Sequence, residues 1–417
     1  MTPDGATDAA AGQREDAAAG FVPPPYPYSR LSAVAAVAER HEGGMVDLSV
    51  GTPSDPPSDA VVAALASSGT ERGYPSSAGS PALRGSASRW IGRRFGVEID
   101  PGHIAACIGT KEFVASAAWF LKLRHPGRDT VLAPAVAYPT YALSAQLAGC
   151  RVVGIPEAPG GGLDLTGVSD EDAARAVVLW VNSPANPTGS LTDLGAAAAW
   201  GRARGVPVLS DECYAEFTWA RWPPDTVLHH GLEGVVAVHS LSKRSNLAGV
   251  RVGFYAGDPD IVGFLSEVRQ HAGLMVAGPV QAAAVVALDD DAHVFAQRDL
   301  YLGRLERLAG VLQDCGLDAT VPAGTFYLWV PVPVWAEVQG RAERRPGAWV
   351  LADVMAEVAG ALVSPGEFYG EAGADHVRIA VVQPDDRLAL VARRLAASED
   401  PRLSGPVPSP EVIDADR

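Results

Sequence analysis

The sequence contains very little lysine: only three of its 33 basic residues are lysines, namely Lys111, Lys122 and Lys243. Chemistry that needs a side-chain primary amine is therefore restricted to these three positions. Lys243 lies in the stretch HSLSKRSNLAGVRVGF (239–254), where an apolar run passes into a segment of small hydroxyl residues. Its position, eight residues before Arg251, makes it the first candidate for a functional amine.

Other absences exclude further classes of protein. The histidines show no metal-binding spacing such as HxxxH. No run of about 20 apolar residues occurs, so we expect no membrane span. The first 20 residues lack an apolar core, so we expect no signal peptide. Cysteines without a CxxC pair are typical of reduced thiols in a cytoplasmic protein. The four cysteines lie far apart, at Cys107, Cys150, Cys213 and Cys315.

Charge and composition point to a globular protein with small ligands. The formal net charge of −16 argues against non-specific binding of nucleic acid or of an anionic membrane, both of which need a basic face. The hydrophobic content of 47% in 417 residues is enough for two or more domains. Residues 1–20 and 398–417 are rich in Ala, Gly, Pro and acid, and we expect them to be disordered tails.

Apolar runs alternate with helical patterns through the central part of the chain. These runs lack period-two alternation, as expected of parallel strands covered on both faces. A helical pattern at 192–205, ended by a glycine, separates two of the runs. The sequence therefore predicts a mostly parallel α/β sheet with helices on both faces, and polar residues stand at three strand ends. The runs are DTVLAPAVAYP (129–139), RAVVLWVNSP (175–184), GVPVLSDECY (205–214) and GVVAVHSLSK (234–243), and the polar residues are Asn182, Asp211 and Ser240.

The pattern changes near residue 295. A long helix rich in Arg and Leu precedes two predicted strands, GTFYLWVPV (324–332) and DHVRIAVV (375–382), with a helix at about 347–361 between them. This order predicts a smaller α+β domain. We therefore divide the chain into an N-terminal segment packing on the small domain, a large domain and a small C-terminal domain, at residues 21–58, 59–294 and 295–397.

Several polar positions each allow two interpretations. Asp211 is a helix cap or a buried carboxylate that needs a positive partner. Tyr214 and Tyr138 are core aromatics or site residues, and Tyr138 also suits a stacking platform. NSPANPTG (182–189) is a proline-rich turn or a tightly fixed loop that presents Asn186. GTKE (109–112) is a plain helix start or a phosphate site.

Together these positions meet one chemical need, a planar phosphorylated aromatic aldehyde bound covalently to lysine. Such a cofactor requires an amine, a phosphate cup, a carboxylate for its ring nitrogen and an aromatic ring to stack on. In this chain Lys243 is the amine and Asp211 is the carboxylate. Thr110, Ser240 and Arg251 form the phosphate cup, and Tyr138 is the stacking ring.

The spaced motifs resemble those of the class I/II aminotransferases of fold type I, which depend on pyridoxal 5′-phosphate. The resemblance covers about residues 45–395. In detail, the chain is similar to the N-succinyldiaminopimelate aminotransferases. It implies a large domain with a mostly parallel central sheet, a smaller α+β domain, and a homodimer with shared active sites. The motifs are LSVGTP, GYPSSAGSPALR, GTKE, AYPTY, NSPANPTG, SDECY, SLSKRSNLAGVRVG and HVRIAVV.

The resemblance implies a role for each matched residue. Lys243 would bind the cofactor aldehyde and then move a proton. Asp211 would keep the ring nitrogen protonated, and Asn186 and Tyr214 would hydrogen-bond the ring 3-oxygen. Tyr138 would stack on the ring. The phosphate would be held by Gly109, Thr110, Lys111, Ser240 and Arg251, with help from Ser242 and from Tyr74 of the neighbouring subunit.

Substrate recognition follows from the same resemblance. Arg378 would bind the substrate α-carboxylate, with Asn186 and the Gly51 backbone lining the same pocket. The expected reaction moves an amino group between N-succinyl-LL-2,6-diaminopimelate and 2-oxoglutarate, in lysine and diaminopimelate synthesis. Two segments, 21–44 and the loop at 333–347, look less like those enzymes, and we expect them to shape access of the substrate.

Two alternatives remain open. One is a transamination, β-elimination or decarboxylation of a specialised-metabolite precursor on the same fold, because the motifs define the cofactor site more than the reaction. The other is a ligand-sensing regulatory module, as in aminotransferase-like domains fused to DNA-binding domains. No DNA-binding domain fits in the first 20 residues, which favours an enzyme.

Overall fold

The computed structural model describes residues 21–403. Residues 1–20 and 404–417, predicted as tails, lie outside the described residues. Residues 398–403, which the sequence assigns to the C-terminal tail, include a 3-10 turn at Pro401–Leu403, and Leu403 is buried. Arg402 forms ion pairs with Asp400 and Glu357 there. The ordered chain therefore extends further than its composition suggests.

Within the described range the helices are α1 Ser32–Ala38, α2 Asp59–Ala66, α3 Pro81–Phe95, α4 Thr110–Arg124, α5 Thr140–Leu147, α6 Asp170–Arg175, α7 Leu194–Arg204, α8 Leu241–Arg244, α9 Pro259–His271, α10 Gly278–Asp289, α11 Ala292–Asp314, α12 Val334–Glu343, α13 Gly347–Ala359 and α14 Asp385–Ala396. The strands are β1 Val46–Asp47, β2 Ile104–Cys107, β3 Thr130–Pro134, β4 Arg151–Ile155, β5 Ala176–Asn182, β6 Val208–Asp211, β7 Val235–Ser240, β8 Gly253–Gly257, β9 Tyr327–Pro331, β10 Ala361–Leu362, β11 Ser364–Pro365 and β12 His376–Ala380.

The central sheet has seven strands in the order β2-β8-β7-β6-β5-β3-β4. Only β8 runs antiparallel to its neighbours, so the predicted mostly parallel sheet is confirmed. Every residue of β5, β6 and β7 is buried, which explains why these strands read as continuous apolar runs. Helices α2, α3, α7 and α10 pack on one face of the sheet, and α4, α5 and α9 pack on the other.

Helix α7 illustrates how local sequence sets an element. The Asp193 carboxylate accepts a 2.8 Å hydrogen bond from the Ala196 amide and so caps the first turn. Gly205 ends the helix in a left-handed conformation, at φ 59°. The helix lies within the predicted range of 192–205, because both of its ends carry capping residues.

The C-terminal part of the chain has its own core. Strands β11, β12 and β9 form an antiparallel sheet, and α11 packs a stripe of buried residues against this core: Tyr301, Leu305, Leu308 and Leu312. The N-terminal segment joins this part, because β1 pairs in parallel with β10, with Val46 opposite Ala361.

The segment 333–347, expected to be a loop, is mostly helical. Helix α12 occupies Val334–Glu343 and ends at Arg344, which has a φ of 58°. Buried Ala336 and Gly340 face inward, and a Cβ at Gly340 would lie 2.7 Å from the Arg345 carbonyl oxygen. Small residues therefore allow close packing on the turn before α13, which charge-rich composition alone does not reveal.

No helix within residues 21–403 is both long and apolar enough to cross a membrane.

Candidate active site

A cavity of about 420 Å³ lies at the carboxyl ends of β5, β6 and β7. The strand register explains this position, since Asn182 at the end of β5 pairs with Asp211 at the end of β6. Parallel strands bring their carboxyl ends to one edge, where ligands of such sheets bind. Twelve of the fourteen predicted site residues line the cavity: Gly51, Thr110, Lys111, Tyr138, Asn186, Asp211, Tyr214, Ser240, Ser242, Lys243, Arg251 and Arg378.

Lys243 enters the cavity from the short helix α8. The hydroxyl of Ser240, at the end of β7, caps this helix by accepting a 3.1 Å hydrogen bond from the Ser242 amide. The lysine Nζ donates a hydrogen bond to the Gly51 carbonyl oxygen. Burial of the ammonium group lowers the pKa of Lys243 to about 8, and the positive charges of Arg378 and Arg251 act in the same direction. Lys243 is thus an amine that can lose its proton near neutral pH.

Asp211 is held by two donors inside the cavity. The Cys213 amide donates to Oδ1 over 3.1 Å, and the Tyr141 hydroxyl donates to Oδ2 over 2.9 Å. Burial raises the pKa of the Asp211 carboxyl, while both hydrogen bonds and the charge of Lys243 act to lower it. A ligand that brings a positively charged N–H to this carboxylate would complete its partners.

Donor groups collect at the start of α4. The free amides at this helix N-terminus and the Thr110 hydroxyl lie in the cavity wall with Ser240, Ser242 and Arg251. Gly109 precedes the helix with a φ of 73°, and a Cβ there would lie 2.3 Å from Arg251 Nη2. Glycine is therefore required at this position, although it does not line the cavity itself. Cradles of this kind suit a phosphate group.

Arg378 is buried on the other side of the cavity. Its guanidinium donates to Asn186 Oδ1 over 2.8 Å, to the Ser49 carbonyl over 2.5 Å and to the Tyr28 hydroxyl over 3.2 Å. It also lies 4.1 Å from the centroid of the Tyr327 ring. Its Nε has no hydrogen-bond partner among the described residues. Three of the five N–H donors of Arg378 are thus engaged, and a carboxylate is a suitable partner for the two that are left.

Asn186 and Tyr214 are fixed by neighbouring side chains. The backbone amide of Asn186 donates to Asn182 Oδ1 over 2.7 Å. This hydrogen bond holds the loop after β5 against the strand end. The hydroxyls of Tyr214 and Tyr327 are 2.9 Å apart, and burial raises the pKa of Tyr214 well above its usual value. Both side chains therefore enter the cavity from supported positions.

Lys111 lines the cavity as predicted, whereas Tyr74 lies away from it. The Lys111 ammonium lies over two tyrosine rings, 5.5 Å from the centroid of Tyr26 and 5.9 Å from that of Tyr138. Tyr74 does not line the cavity and is fully exposed, at 100%. Within one chain Tyr74 is therefore not a site residue, and its predicted role requires a second subunit.

Several lining residues were missed in the sequence. Tyr26 and Tyr28 come from the proline-rich segment before α1, and Tyr327 comes from β9. Tyr141, which does not line the cavity but supports Asp211, could have been found, because AYPTY places it three residues after Tyr138 at a helix start. The others gave no local signal, since only chain folding brings them to the cavity.

His239 was interpreted as structural, and its position agrees with that interpretation. It is buried among aromatic rings, 4.9 Å from the centroid of Trp90 and 5.2 Å from that of Phe254. Burial lowers the pKa of His239 to about 3. The neutral His239 imidazole therefore packs as a core side chain on β7.

The donor set fits the expected cofactor. A phosphate would meet the Thr110 cradle, a ring nitrogen would meet Asp211, and an aldehyde would meet Lys243. Arg378, which lines the same cavity, remains for a substrate carboxylate. No group of three or more potential metal ligands occurs in the part of the chain that the structure describes.

Comparisons with known proteins identify the family of the chain. A family model described as aminotransferase class I and II matches residues 43–395. The chain is 41% identical over 382 residues to the 4-dedimethylamino-4-oxo-anhydrotetracycline transaminase OxyQ of Streptomyces rimosus, covering 89% of this chain and 99% of that protein. It is 32% identical to an LL-diaminopimelate aminotransferase of Desulforudis audaxviator, covering 89% and 95%.

Solved structures give the same picture. The probable N-succinyldiaminopimelate aminotransferase of Thermus thermophilus is 30% identical with a TM-score of 0.77, covering 88% of this chain and 98% of that one. An aminotransferase of Neisseria meningitidis has a TM-score of 0.80 at 29% identity, covering 89% and 97%.

Proposed function

This chain belongs to the class I and II aminotransferases, which depend on pyridoxal 5′-phosphate, and from that premise we propose that the cavity beside Lys243 is where an amino group passes between an amino acid and a 2-oxo acid. The observation that carries this proposal is the placement of three groups around one cavity. Lys243 lies in it together with Asp211 and Arg378.

The cofactor, when bound, supplies an aldehyde that takes up the amino group and a ring that withdraws electrons from the substrate Cα. Thr110, Ser240, Ser242 and Arg251, with the backbone amide of Lys111 and the Gly109 turn, would hold its phosphate. Tyr138 would stack on its ring. Tyr214 and Asn186 would hydrogen-bond the ring 3-oxygen.

Lys243 would bind the aldehyde and then carry a proton at Nζ. A pKa of about 8 leaves part of its population neutral at physiological pH, so that Nζ can accept a proton from the substrate Cα. An ionised Asp211 carboxylate would keep the ring nitrogen protonated. The Tyr141 hydroxyl and the Cys213 amide stabilise the ionised form of Asp211 by donating hydrogen bonds to it.

Arg378 would orient the substrate by its α-carboxylate. Since three of its five N–H donors already hold Asn186, the Ser49 carbonyl and Tyr28, the guanidinium cannot rotate freely. A fixed guanidinium places the Cα of the substrate in one position, which favours removal of one proton over competing reactions.

The first candidate substrate pair is N-succinyl-LL-2,6-diaminopimelate with 2-oxoglutarate or glutamate. It is supported by the motifs at 48–53, 109–112 and 240–253 and by the likeness to the Thermus thermophilus structure. On this proposal the protein acts in lysine and diaminopimelate synthesis. Because the chain has four unpaired cysteines, we further place it in the reducing cytoplasm.

A second candidate is a precursor of a specialised metabolite. It is supported by the 41% identity to OxyQ over 99% of that protein, which is named as a transaminase of 4-dedimethylamino-4-oxo-anhydrotetracycline. Identity to the LL-diaminopimelate aminotransferase of Desulforudis audaxviator is lower, at 32%. β-Elimination or decarboxylation of such a precursor is a further outcome that the same assay would reveal.

We also propose a homodimer with shared sites. Tyr74 is fully exposed in the single chain, and a second copy would let it reach the partner's phosphate site.

A half-reaction screen tests the proposed function. The holoenzyme is mixed with L-glutamate, N-succinyl-LL-2,6-diaminopimelate and a panel of other amino acids, and the visible absorption of the lysine-bound cofactor is followed. Loss of this band with release of the matching 2-oxo acid supports amino transfer. Release of carbon dioxide or ammonia without the amino form of the cofactor would contradict it. Failure of the succinylated donor while another reacts would exclude the lysine pathway.

A further inference from the structure

A second cavity of about 490 Å³ lies next to the candidate active site. It is bounded by the proline-rich segment 24–28, by helix α5 and by the loop at 368–370. The two cavities share four lining residues, namely Tyr26, Tyr28, Lys111 and Tyr138. These four side chains form the boundary between the two cavities, and a substrate group that reached past them would enter the second cavity. Its size is typical of a ligand pocket, which spans about 300–1,000 Å³.

One wall of the second cavity is stiff. Pro24, Pro25 and Pro27 fix the backbone of this segment. The Tyr28 hydroxyl is 3.0 Å from the Tyr369 hydroxyl, so the segment is tied to the loop on the opposite side. A wall fixed before ligand arrives lowers the entropy lost on binding. The cavity is thus a preorganised pocket.

Tyr28 and Arg30 also attach the proline-rich segment to the loop around 368–370. Arg30 forms a 2.7 Å ion pair with Glu367, and the Tyr28 ring packs on Phe368 at a centroid distance of 5.6 Å. The Ala137 amide donates to the Tyr369 carbonyl over 2.7 Å, which joins the loop to the segment before α5. All three sides of the cavity are therefore connected to one another.

The lining of the second cavity is mostly apolar. Leu143, Val152 and Phe368 lie in it together with several alanines and prolines. Among the described residues that line it there is no carboxylate, and Lys111 is the only cation. A carboxylate in this pocket beyond the reach of Lys111 would lose its water without gaining a charged partner, which is costly. The cavity therefore suits an uncharged group.

Lys111 stands at the junction of the two cavities. Its ammonium makes no hydrogen bond or ion pair with any residue in 21–403, and its contacts are with the faces of Tyr26 and Tyr138. An ammonium with unused donors can bind one carbonyl or carboxylate oxygen of a passing substrate. The junction thus accepts a single acceptor group.

We propose that the second cavity receives the distal part of a long amino substrate, as an uncharged, largely apolar acyl or ring group whose linker presents one acceptor to Lys111. This proposal rests on the amino transfer proposed above and names the substrate class of that site. It favours the second candidate class. The distal end of N-succinyl-diaminopimelate carries two carboxylates, for which the described lining offers one cation.

Binding to the holoenzyme tests the proposal with three carboxylates that lack an amine: hexanoate, 6-benzamidohexanoate and 6-(succinylamino)hexanoate. All three present a carboxylate to Arg378, so they differ only in the distal group. In calorimetric titrations we expect 6-benzamidohexanoate to bind at least about tenfold more tightly than either of the others. Equal affinity for all three, or tightest binding of the succinylated probe, would overturn the proposal.

Two variants fill the cavity from different walls. Ala142→Phe adds bulk on α5, and Val152→Trp adds it on the edge strand β4, where Val152 is already half-exposed. Either change should abolish the tenfold preference for the benzoyl probe. Leu147→Phe is the matched control, because Leu147 lies on α5 outside the cavity and is 44% exposed.

Two folded filling variants that keep the preference would refute the pocket assignment, and thermal unfolding reports whether each one is folded. The Val152→Trp variant maintains the test if Ala142→Phe does not fold. In parallel, L-glutamate and N6-benzoyl-L-lysine are compared as amino donors. Turnover of glutamate without any benzoyl preference would reject the cavity proposal and leave amino transfer standing. A benzoyl preference in binding, with no donor turned over, would support the cavity proposal and reject amino transfer.

Discussion

The Arg378 guanidinium donates a 2.8 Å hydrogen bond to Oδ1 of Asn186, which joins β12 to the loop after β5. The two residues are 192 positions apart in sequence. The group proposed to bind the substrate carboxylate therefore directly supports the group proposed to bind the cofactor ring. A change at one of them should be felt at the other.

Arg378→Ala should raise the amino-donor KM by about 100-fold, because a buried, charge-assisted interaction is lost. The visible band of the lysine-bound cofactor should remain, since Arg378 lies at the substrate end of the cavity. Half-reaction kinetics with the preferred donor measure this effect. Arg378→Lys is the matched control and should recover only part of the loss, because a lysine cannot hold Asn186, Tyr28 and a carboxylate together. An unchanged KM would remove Arg378 from the pocket.

Lys243→Ala should abolish amino transfer and the visible band of the lysine-bound cofactor. The physical reason is that the side-chain amine of Lys243 is the one that enters the cavity beside Asp211. Absorption spectra of the purified variant, reconstituted with the cofactor, check this expectation. Lys122→Ala is the control, as Lys122 donates to the Ala148 carbonyl over 2.9 Å, away from the cavity. Survival of the band in Lys243→Ala would refute the assignment.

Tyr141→Phe should lower kcat by about tenfold, because Asp211 loses a hydrogen bond to its ionised form. The pKa of Asp211, already raised by burial, should rise further, so the acid limb of the kcat/KM profile should move to higher pH. Tyr301→Phe is the control, since the Tyr301 hydroxyl is buried without a hydrogen-bond partner among the described residues. Identical pH profiles of wild type and Tyr141→Phe would show that Tyr141 has no influence on Asp211.

Lys243→Met should stabilise the cofactor-free protein at pH 7, by about 3 kcal/mol, because the buried ammonium is removed. The folded pKa of Lys243 is about 8, below its unfolded value of 10.5. Between these two values the unfolded state binds the extra proton, so the wild-type free energy of unfolding should rise with pH. The advantage of the Met variant should therefore shrink towards pH 10.5. Urea unfolding at pH 7, 9 and 10.5 measures this trend, and a constant difference would contradict it.

Tyr74→Phe should raise the dissociation constant of the cofactor by about tenfold in a dimer, because one hydrogen bond to the phosphate is lost. Sedimentation should show a dimer for wild type and variant alike, since the exposed Tyr74 hydroxyl contributes little to subunit contacts. Equilibrium dialysis of the cofactor gives the affinity. Trp119→Phe, at a residue that is also exposed, serves as the control. A monomeric protein with unchanged cofactor affinity would disprove the shared site.

Much of the large sheet could be predicted because its strands carry their own signals. The runs that became β5, β6 and β7 are apolar throughout, and Asn182, Asp211 and Ser240 mark their ends. The segment 333–347 could not be predicted, because α12 depends on the packing of Ala336 and Gly340 and its surface is charged.

The sequence by itself determined the local chemistry: a single lysine after a strand, a carboxylate at a strand end and a glycine before a helix. These features depend on neighbours in the chain, so motif and periodicity reveal them. Tertiary structure alone decided which distant groups meet, as where Tyr28 joins Arg378 and Tyr141 joins Asp211. It also decided that the proline-rich segment at 24–28 forms the wall of a second cavity, because that wall exists only once the N-terminal segment packs against α5 and the loop at 368–370.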